Sequence, residues 1–285
     1  MQENSVTIKD PIPPHRLDKL AKPYLYWLYV LACLPMLMMV GLCFVDTEGI
    51  IFLEMEFTFY NFSSLFQKYT LVAFYNSLKY SVITTLICIF FGYLIAYSLY
   101  NSKIKNKYLV LILLILPMWT NVLLRINALA AVFKENNILS DLLGVPGLNI
   151  IGTDLAIILG MVFTYLPFIV LPIYTSLEKI DPSLHEAALD LGMTEFKKFW
   201  TVVVPLTSKG ITSGSIMVLL PCLSGFAIPK ILGEGNELLL GNIIEQSFTN
   251  MSYNIGSVFA VCLLVIILGS ILLVNKIDKE GETLL

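Results

Sequence analysis

The chain has 285 residues, 57% of them hydrophobic and only 14% charged, with a mean hydropathy of +0.79. A soluble domain carries about 25% charged residues, so an ordinary water-soluble globule is excluded. The net charge of −3 excludes the basic surface of a nucleic-acid-binding protein.

Residues 1–22 are polar and contain Pro11, Pro13 and Pro14. No apolar run followed by a cleavage motif occurs there, so no secretory signal is read. They predict a cytoplasmic arm, flexible, with a short interfacial helix near His15 to Ala21. A spanning helix needs about 20 apolar residues. Six stretches qualify: Tyr24–Phe44, Ser77–Tyr100, Tyr108–Leu124, Leu155–Leu177, Gly210–Pro229 and Ile255–Val274. The third is short. The fourth and fifth contain Pro167, Pro172 and Pro221, which predict kinks whose freed carbonyls neighbouring helices must satisfy. The expected fold is all-α and polytopic, with six transmembrane helices. A transmembrane domain covers 23–275, with a cytoplasmic loop at 178–209 and a cytoplasmic tail at 276–285. The cysteines Cys33, Cys43, Cys88, Cys222 and Cys262 fall in apolar stretches without CxxC spacing, which predicts small buried residues rather than disulfides or a metal set. His15 and His185 stand apart from any cysteine or carboxylate cluster, so no zinc site is expected.

Orientation follows from lysine and arginine. With the N-terminus inside, the inner segments hold Lys9, Arg16, Lys19, Lys22, Lys103, Lys105, Lys107, Lys179, Lys197, Lys198, Lys209, Lys276 and Lys279. The outer segments hold only Lys68, Arg125, Lys134 and Lys230, with Lys79 near the outer end of the second span. This predicts N-in, C-in. The outer loops carry Asp46, Glu48, Glu54, Glu56, Glu135, Asp141, Asp154, Glu234, Glu237 and Glu245, and no span contains an acid. A net negative outer face favours approach of a cation over about a nanometre. Solubility of the loops explains the same residues.

The cytoplasmic loop Glu178–Lys209 splits into two short amphipathic pieces. Leu184, Ala187, Ala188 and Leu191 recur on one helical face, as do Phe196, Phe199, Trp200 and Val203. Asp181 before Pro182 is a good cap and first helical residue. Ser183-Leu184-His185-Glu186 also fits a capping box. Gly192 divides the pieces and tolerates positive φ, so a sharp turn is expected there. Pro205 limits the second piece. Two short helices at an angle result. Periodicity alone allows either a knob for a partner's groove or a linker resting on lipid.

Glu186-Ala187-Ala188, three residues, Gly192, nine residues, then Val202-Val203-Val204-Pro205 resembles the EAA loop of ABC-importer permeases, with valines where isoleucine and leucine are usual. Pro117-Met118-Trp119-Thr120-Asn121 with Arg125 is similar to a segment of the spermidine/putrescine permease subfamily. So are Leu166-Pro167-Phe168, Pro172-Ile173-Tyr174, Ser176-Leu177-Glu178-Lys179 and Gly241-Asn242-Ile243-Ile244. The resemblance implies a type I importer permease fold in a bacterial inner membrane. It implies import of polyamines, a loop docked on a separate ATPase dimer, a second, homologous permease subunit, and an extracytoplasmic substrate-binding protein. ATP and magnesium would bind the partner ATPase. The chain itself has no G-x-x-x-x-G-K-[ST] and is expected to be no enzyme.

Candidate coupling residues are Glu186, Ala187, Ala188, Asp190, Leu191, Gly192, Phe196 and Pro205. Candidate path residues are Trp119, Asn121, Tyr165, Tyr97 and Tyr174, with Tyr93 beside them. Without an intramembrane carboxylate, aromatic faces and backbone carbonyls are left to receive ammonium groups, at about 0.5–2 kcal/mol per cation–π contact. Trp119 equally suits an interfacial anchor. Arg125 reads as a positioning or docking residue just outside the membrane. Permeases for iron, thiamine, phosphate or sulfate share the general plan. A half of an ion-coupled secondary transporter would want intramembrane ionisable groups or paired half-helices. An intramembrane enzyme would want Ser/His, HExxH or paired aspartates, none of which appears.

Overall fold

The computed structural model describes residues 14–46, 56–134 and 149–277. Lys9, Glu48, Glu54, Glu135, Asp141 and Lys279 lie outside them, as do the first thirteen residues of the arm and the end of the tail. Helix α1 runs Pro14–Leu42. The segment expected as a separate arm is therefore helical from Pro14 and continuous with the first span. A two-residue antiparallel ribbon pairs β1, Val45–Asp46, with β2, Glu56–Phe57, a small departure from an all-α chain. A 3-10 turn at Tyr60–Phe66 leads into α2, Lys68–Asn101. Then come α3 (Lys107–Ile115, extended by a 3-10 turn Leu116–Trp119), α4 (Val122–Phe133), α5 (Asp154–Glu178) and α6 (Pro182–Asp190). Helix α7 covers Glu195–Leu206, α8 Ser208–Ser224, α9 Ala227–Leu232, α10 Leu240–Thr249 and α11 Tyr253–Ile277.

Among the described residues, four helices are long and apolar enough to cross a membrane, or up to six if each bent pair counts as one span. Helix breaks correct two expected spans. Tyr108–Leu124 is not one helix: α3 with its 3-10 turn and α4 meet at 94°. Pro117 has no N–H and clashes with the preceding turn, and Asn121 Oδ1 accepts from Leu123 N at 2.8 Å, which caps a new helix. Gly210–Pro229 also breaks, because α8 ends at Ser224 and α9 starts at Ala227. At the other end α8 meets α7 at 65°.

The core is α2, α5 and α8, the most heavily packed trio. The inward stripe of α2 is mostly small or polar: Ala73, Ser77, Ser81, Thr84, Cys88, Gly92 and Ala96 are buried, with Tyr80, Tyr93 and Leu99 the large residues among them. Its large apolar residues Leu71, Val82, Leu86, Phe90 and Leu94 face outward. Lipid is as apolar as leucine, so helix association in a membrane relies on small residues that let backbones approach. Helix α1 buries no side chain from Lys22 to Leu42 and lies along α11. Those 21 residues span about 31 Å at 1.5 Å per residue, about one hydrocarbon thickness. Its end is tied by buried Asn61, whose Nδ2 donates to Cys43 O (3.2 Å) and Val45 O (2.9 Å). The cysteines are all free. Cys43, Cys88 and Cys222 are buried as expected, Cys262 is half-buried, and Cys33 is exposed because its stretch of α1 faces outward.

At the end of the bundle away from α6, polar contacts join distant segments. Lys79 pairs with Asp154 at 2.8 Å, Asn76 Nδ2 donates to Glu237 Oε2 at 2.6 Å, and Leu240 N donates to Ser77 Oγ at 2.7 Å. The lysine expected inside a span is thus neutralised by the first residue of α5.

Candidate functional site

The elbow between α6 and α7 is built by local rules. Asp181 caps α6: its Oδ1 accepts from Ser183 N at 2.9 Å, and that N–H holds the carboxyl below the usual range. This corrects the capping-box reading, since Ser183 lies inside the helix rather than at its cap. Helix α6 then closes with Gly192 N donating to Leu189 O at 2.8 Å and Met193 N to Ala188 O at 3.1 Å. This pair of reversed bonds defines a Schellman ending, which requires a left-handed residue. Gly192 supplies it at φ +73°, as its position between the pieces predicts. Thr194 caps α7 by accepting from Lys197 N.

The elbow projects from the bundle. Glu186, Ala187, Asp190, Gly192 and Pro205 are exposed; Leu191 is 78% and Phe196 75% exposed. Only Ala188 of the α6 motif is buried. The expected common face of Leu184, Ala187, Ala188 and Leu191 is therefore not buried as a unit. The bundle offers α6 a seat for one small residue, and Leu191 lies at the turn, past the last regular residue. Helix α7 divides likewise, with Val203 buried and Phe196 and Trp200 outward.

Helix α7 contains a wide turn at Phe199–Val203, where Val204 N reaches back to Phe199 O. Pro205 explains it: a proline ring clashes with the carbonyl four residues earlier, and a wider turn relieves the clash. Phe199 packs edge-on to Tyr97 (4.9 Å) and Tyr93 (5.4 Å) of α2. Tyr174 is buried and meets Tyr108, whose hydroxyl donates to both Glu178 oxygens at 3.0 and 3.2 Å.

The structure does not gather the candidate path residues. Tyr97 packs on Phe199 of α7, and Tyr174 on Tyr108 of α3. Tyr165 is half-buried beside Phe168 and Gly225. Trp119 is 89% exposed at the break between α3 and α4, about 18 Å along the helix from Lys107, with Asn121 next to it. Arg125 is half-buried within α4.

Two features escaped the sequence. A hollow of about 530 Å³ is lined by Phe226, Glu245, Phe248 and Leu263 among others, and Lys230 pairs with Glu245 at 2.7 Å. Beside it, Asn242 Oδ1 accepts from Leu239 N (3.3 Å) and Nδ2 donates to Phe226 O (2.9 Å). The Gly241-Asn242 pair was visible as a motif, but its partners across the fold were not. Among the described residues no group of His, Cys, Asp or Glu is placed to hold a metal ion.

The chain is a bundle of broken helices that carries an exposed, stiffly capped elbow. The fold is similar to a chain of a bacterial ABC transporter involved in the import of the acidic polysaccharide alginate, with a TM-score of 0.76, 17% identity, and 94% and 96% of the two chains covered. Residues 88–280 match the family described as binding-protein-dependent transport system inner membrane component, and the chain belongs to that family. It is 38% identical over 229 residues to the spermidine/putrescine transport system permease protein PotB of Haemophilus influenzae, covering 78% of this chain and 79% of that one. It is 35% identical over 254 residues to PotB of Escherichia coli, covering 87% and 92%.

Proposed function

We propose that this chain is a permease subunit of an ATP-driven polyamine importer, moving spermidine or putrescine inward. The identity of 35–38% to spermidine/putrescine permeases over most of both chains carries this reading. In it each bent pair is one span, both termini are cytoplasmic, and the α6–α7 elbow lies inside. The lysine and arginine asymmetry supports that orientation.

Glu186, Ala187, Ala188, Asp190, Leu191, Gly192 and Phe196 then seat the elbow in a cleft of a separate ATPase dimer, which binds ATP and magnesium. The exposure of all of them but Ala188 supports the assignment, as does the Schellman ending, which makes the elbow a stiff lever. Nucleotide-driven closure of the ATPases displaces the elbow, and α7, α8 and α5 transmit the movement. A second, homologous permease subunit completes the path, and an extracytoplasmic binding protein delivers the substrate. This chain does no bond chemistry. It converts displacement into access.

A polyamine needs anionic or aromatic partners along its route. Phe226 and Phe248 offer aromatic faces beside Glu245, whose charge Lys230 shares, and Trp119 offers an open aromatic face. The test is uptake of labelled spermidine and putrescine by the complete complex in proteoliposomes. Uptake driven by ATP and by the loaded binding protein is expected. ATP-driven uptake of sulfate or thiamine without polyamine uptake overturns the substrate. Failure to co-purify with an ATPase overturns the class.

A further inference from the structure

The joint between α7 and α8 is held to α2 by a hydrogen bond between two hydroxyls, Tyr93 and Thr207. Thr207 is fully buried, and its Oγ1 lies 3.0 Å from Val203 O, 3.1 Å from Val204 O and 2.9 Å from the Tyr93 hydroxyl. Carbonyls only accept, so the single Thr207 proton goes to them. Tyr93 is also buried, and its proton finds its acceptor in the Thr207 oxygen. The opposite direction leaves a buried tyrosine donor unpaired. Tyr93 therefore donates to Thr207.

Three features converge at this bond. The wide turn at Phe199–Val203 sits immediately before it, the 65° bend between α7 and α8 falls on it, and the ring of Phe199 stands edge-on to Tyr93 and Tyr97. A wide turn and a bend are places where a helix has more than one arrangement. One hydroxyl pair ties that place to α2, which packs against both α5 and α8.

We infer that Tyr93 is a positioning residue for coupling: its bond to Thr207 carries displacement of the elbow into α2. The inference rests on the proposed attachment of the elbow to an ATPase. With the bond in place, α7 and α2 move together. Without it, the elbow moves while the wide turn absorbs the motion and the path does not follow. A bond that merely satisfied burial would affect stability and leave the work ratio unchanged.

The experiment uses the complete complex with its binding protein in proteoliposomes and measures ATP hydrolysed per labelled spermidine taken up, together with the thermal midpoint. Tyr93→Phe keeps the ring against Phe199 and removes only the donor. It is expected to assemble and to raise the ratio about threefold or more, the scale of one buried hydrogen bond. Thr207→Val should do the same, the double variant no worse than either single one, and Thr207→Ser, which keeps the accepting oxygen, should stay near wild type. An unchanged ratio in Tyr93→Phe overturns the inference, as do multiplying effects in the double variant. A wild-type complex whose hydrolysis ignores the loaded binding protein overturns the coupling reading along with it. Wild-type stimulation with normal variants overturns this inference alone.

Discussion

A Cβ on Gly214 of α8 would lie 3.0 Å from the Cα of Ile169 on α5, so these helices meet backbone to backbone with no room for a side chain between them. The same added carbon would be 2.7 Å from Ile169 Cγ1, and one on Gly92 of α2 would strike Ile169 Cγ2. Ile169 is wholly buried and wedges between both neighbours.

Gly214→Val is expected to lower the thermal midpoint of the purified subunit and its yield in the membrane, since overpacking costs about 1–3 kcal/mol even where side chains can shift. Adding Ile169→Ala should restore only part of the loss. It relieves the clash with Cγ1, keeps the one with the backbone of residue 169, and opens a cavity that costs about 2–5 kcal/mol. Full restoration in the double variant, read by thermal unfolding in detergent, would show that the side chain alone sets the spacing.

Gly192 has open space around it, with nothing within 4 Å of an added Cβ. Its constraint is therefore the backbone, at φ +73°. Gly192→Val should assemble normally but change the elbow angle, because a left-handed non-glycine residue costs about 1–2 kcal/mol. ATP hydrolysed per substrate should rise, while Gly192→Asn, which tolerates that conformation, should do less harm. Normal coupling in the valine variant would count against a lever.

Asn242 satisfies two backbone groups at once, and the pattern of one donor and one acceptor sets its amide orientation. Asn242→Asp keeps the acceptor for Leu239 N and loses the donor to Phe226 O. Asn242→Ala loses both. Each should destabilise by about 1–3 kcal/mol per unpaired buried group, with alanine the worse. Equal midpoints for the two variants and the wild type would mean that water replaces the side chain.

Trp119 packs against almost nothing in this subunit, with 89% of it exposed. Trp119→Leu is expected to leave stability and assembly unchanged while lowering spermidine uptake, measured at saturating binding protein. Unaltered uptake returns the residue to the role of interfacial anchor.

The positions of the spans were legible because transfer free energy is summed along the chain: α1, α2, α5 and α11 each overlap an apolar run that the composition already marks. The elbow was legible for a different reason. Asp181-Pro182 and Gly192 act through bonds to residues two to five positions away, so cap and turn are written within one short window. The 94° break after Trp119 was not foreseen, although Pro117 and Asn121 both stand there, because the apolar run continues straight through them.

By itself, then, the sequence determined that this is a helical membrane protein, roughly where its spans run, and that a glycine-ended elbow lies between two of them. Only the tertiary structure decided which faces pack and where the helices break. It also decided that Tyr93 meets Thr207, that Glu178 meets Tyr108, and that Leu191 stays exposed. The physical reason is range. Hydropathy and capping depend on neighbours in the chain, whereas helix association in lipid depends on small residues and single hydroxyls meeting partners up to 163 positions away, as Ser77 meets Leu240.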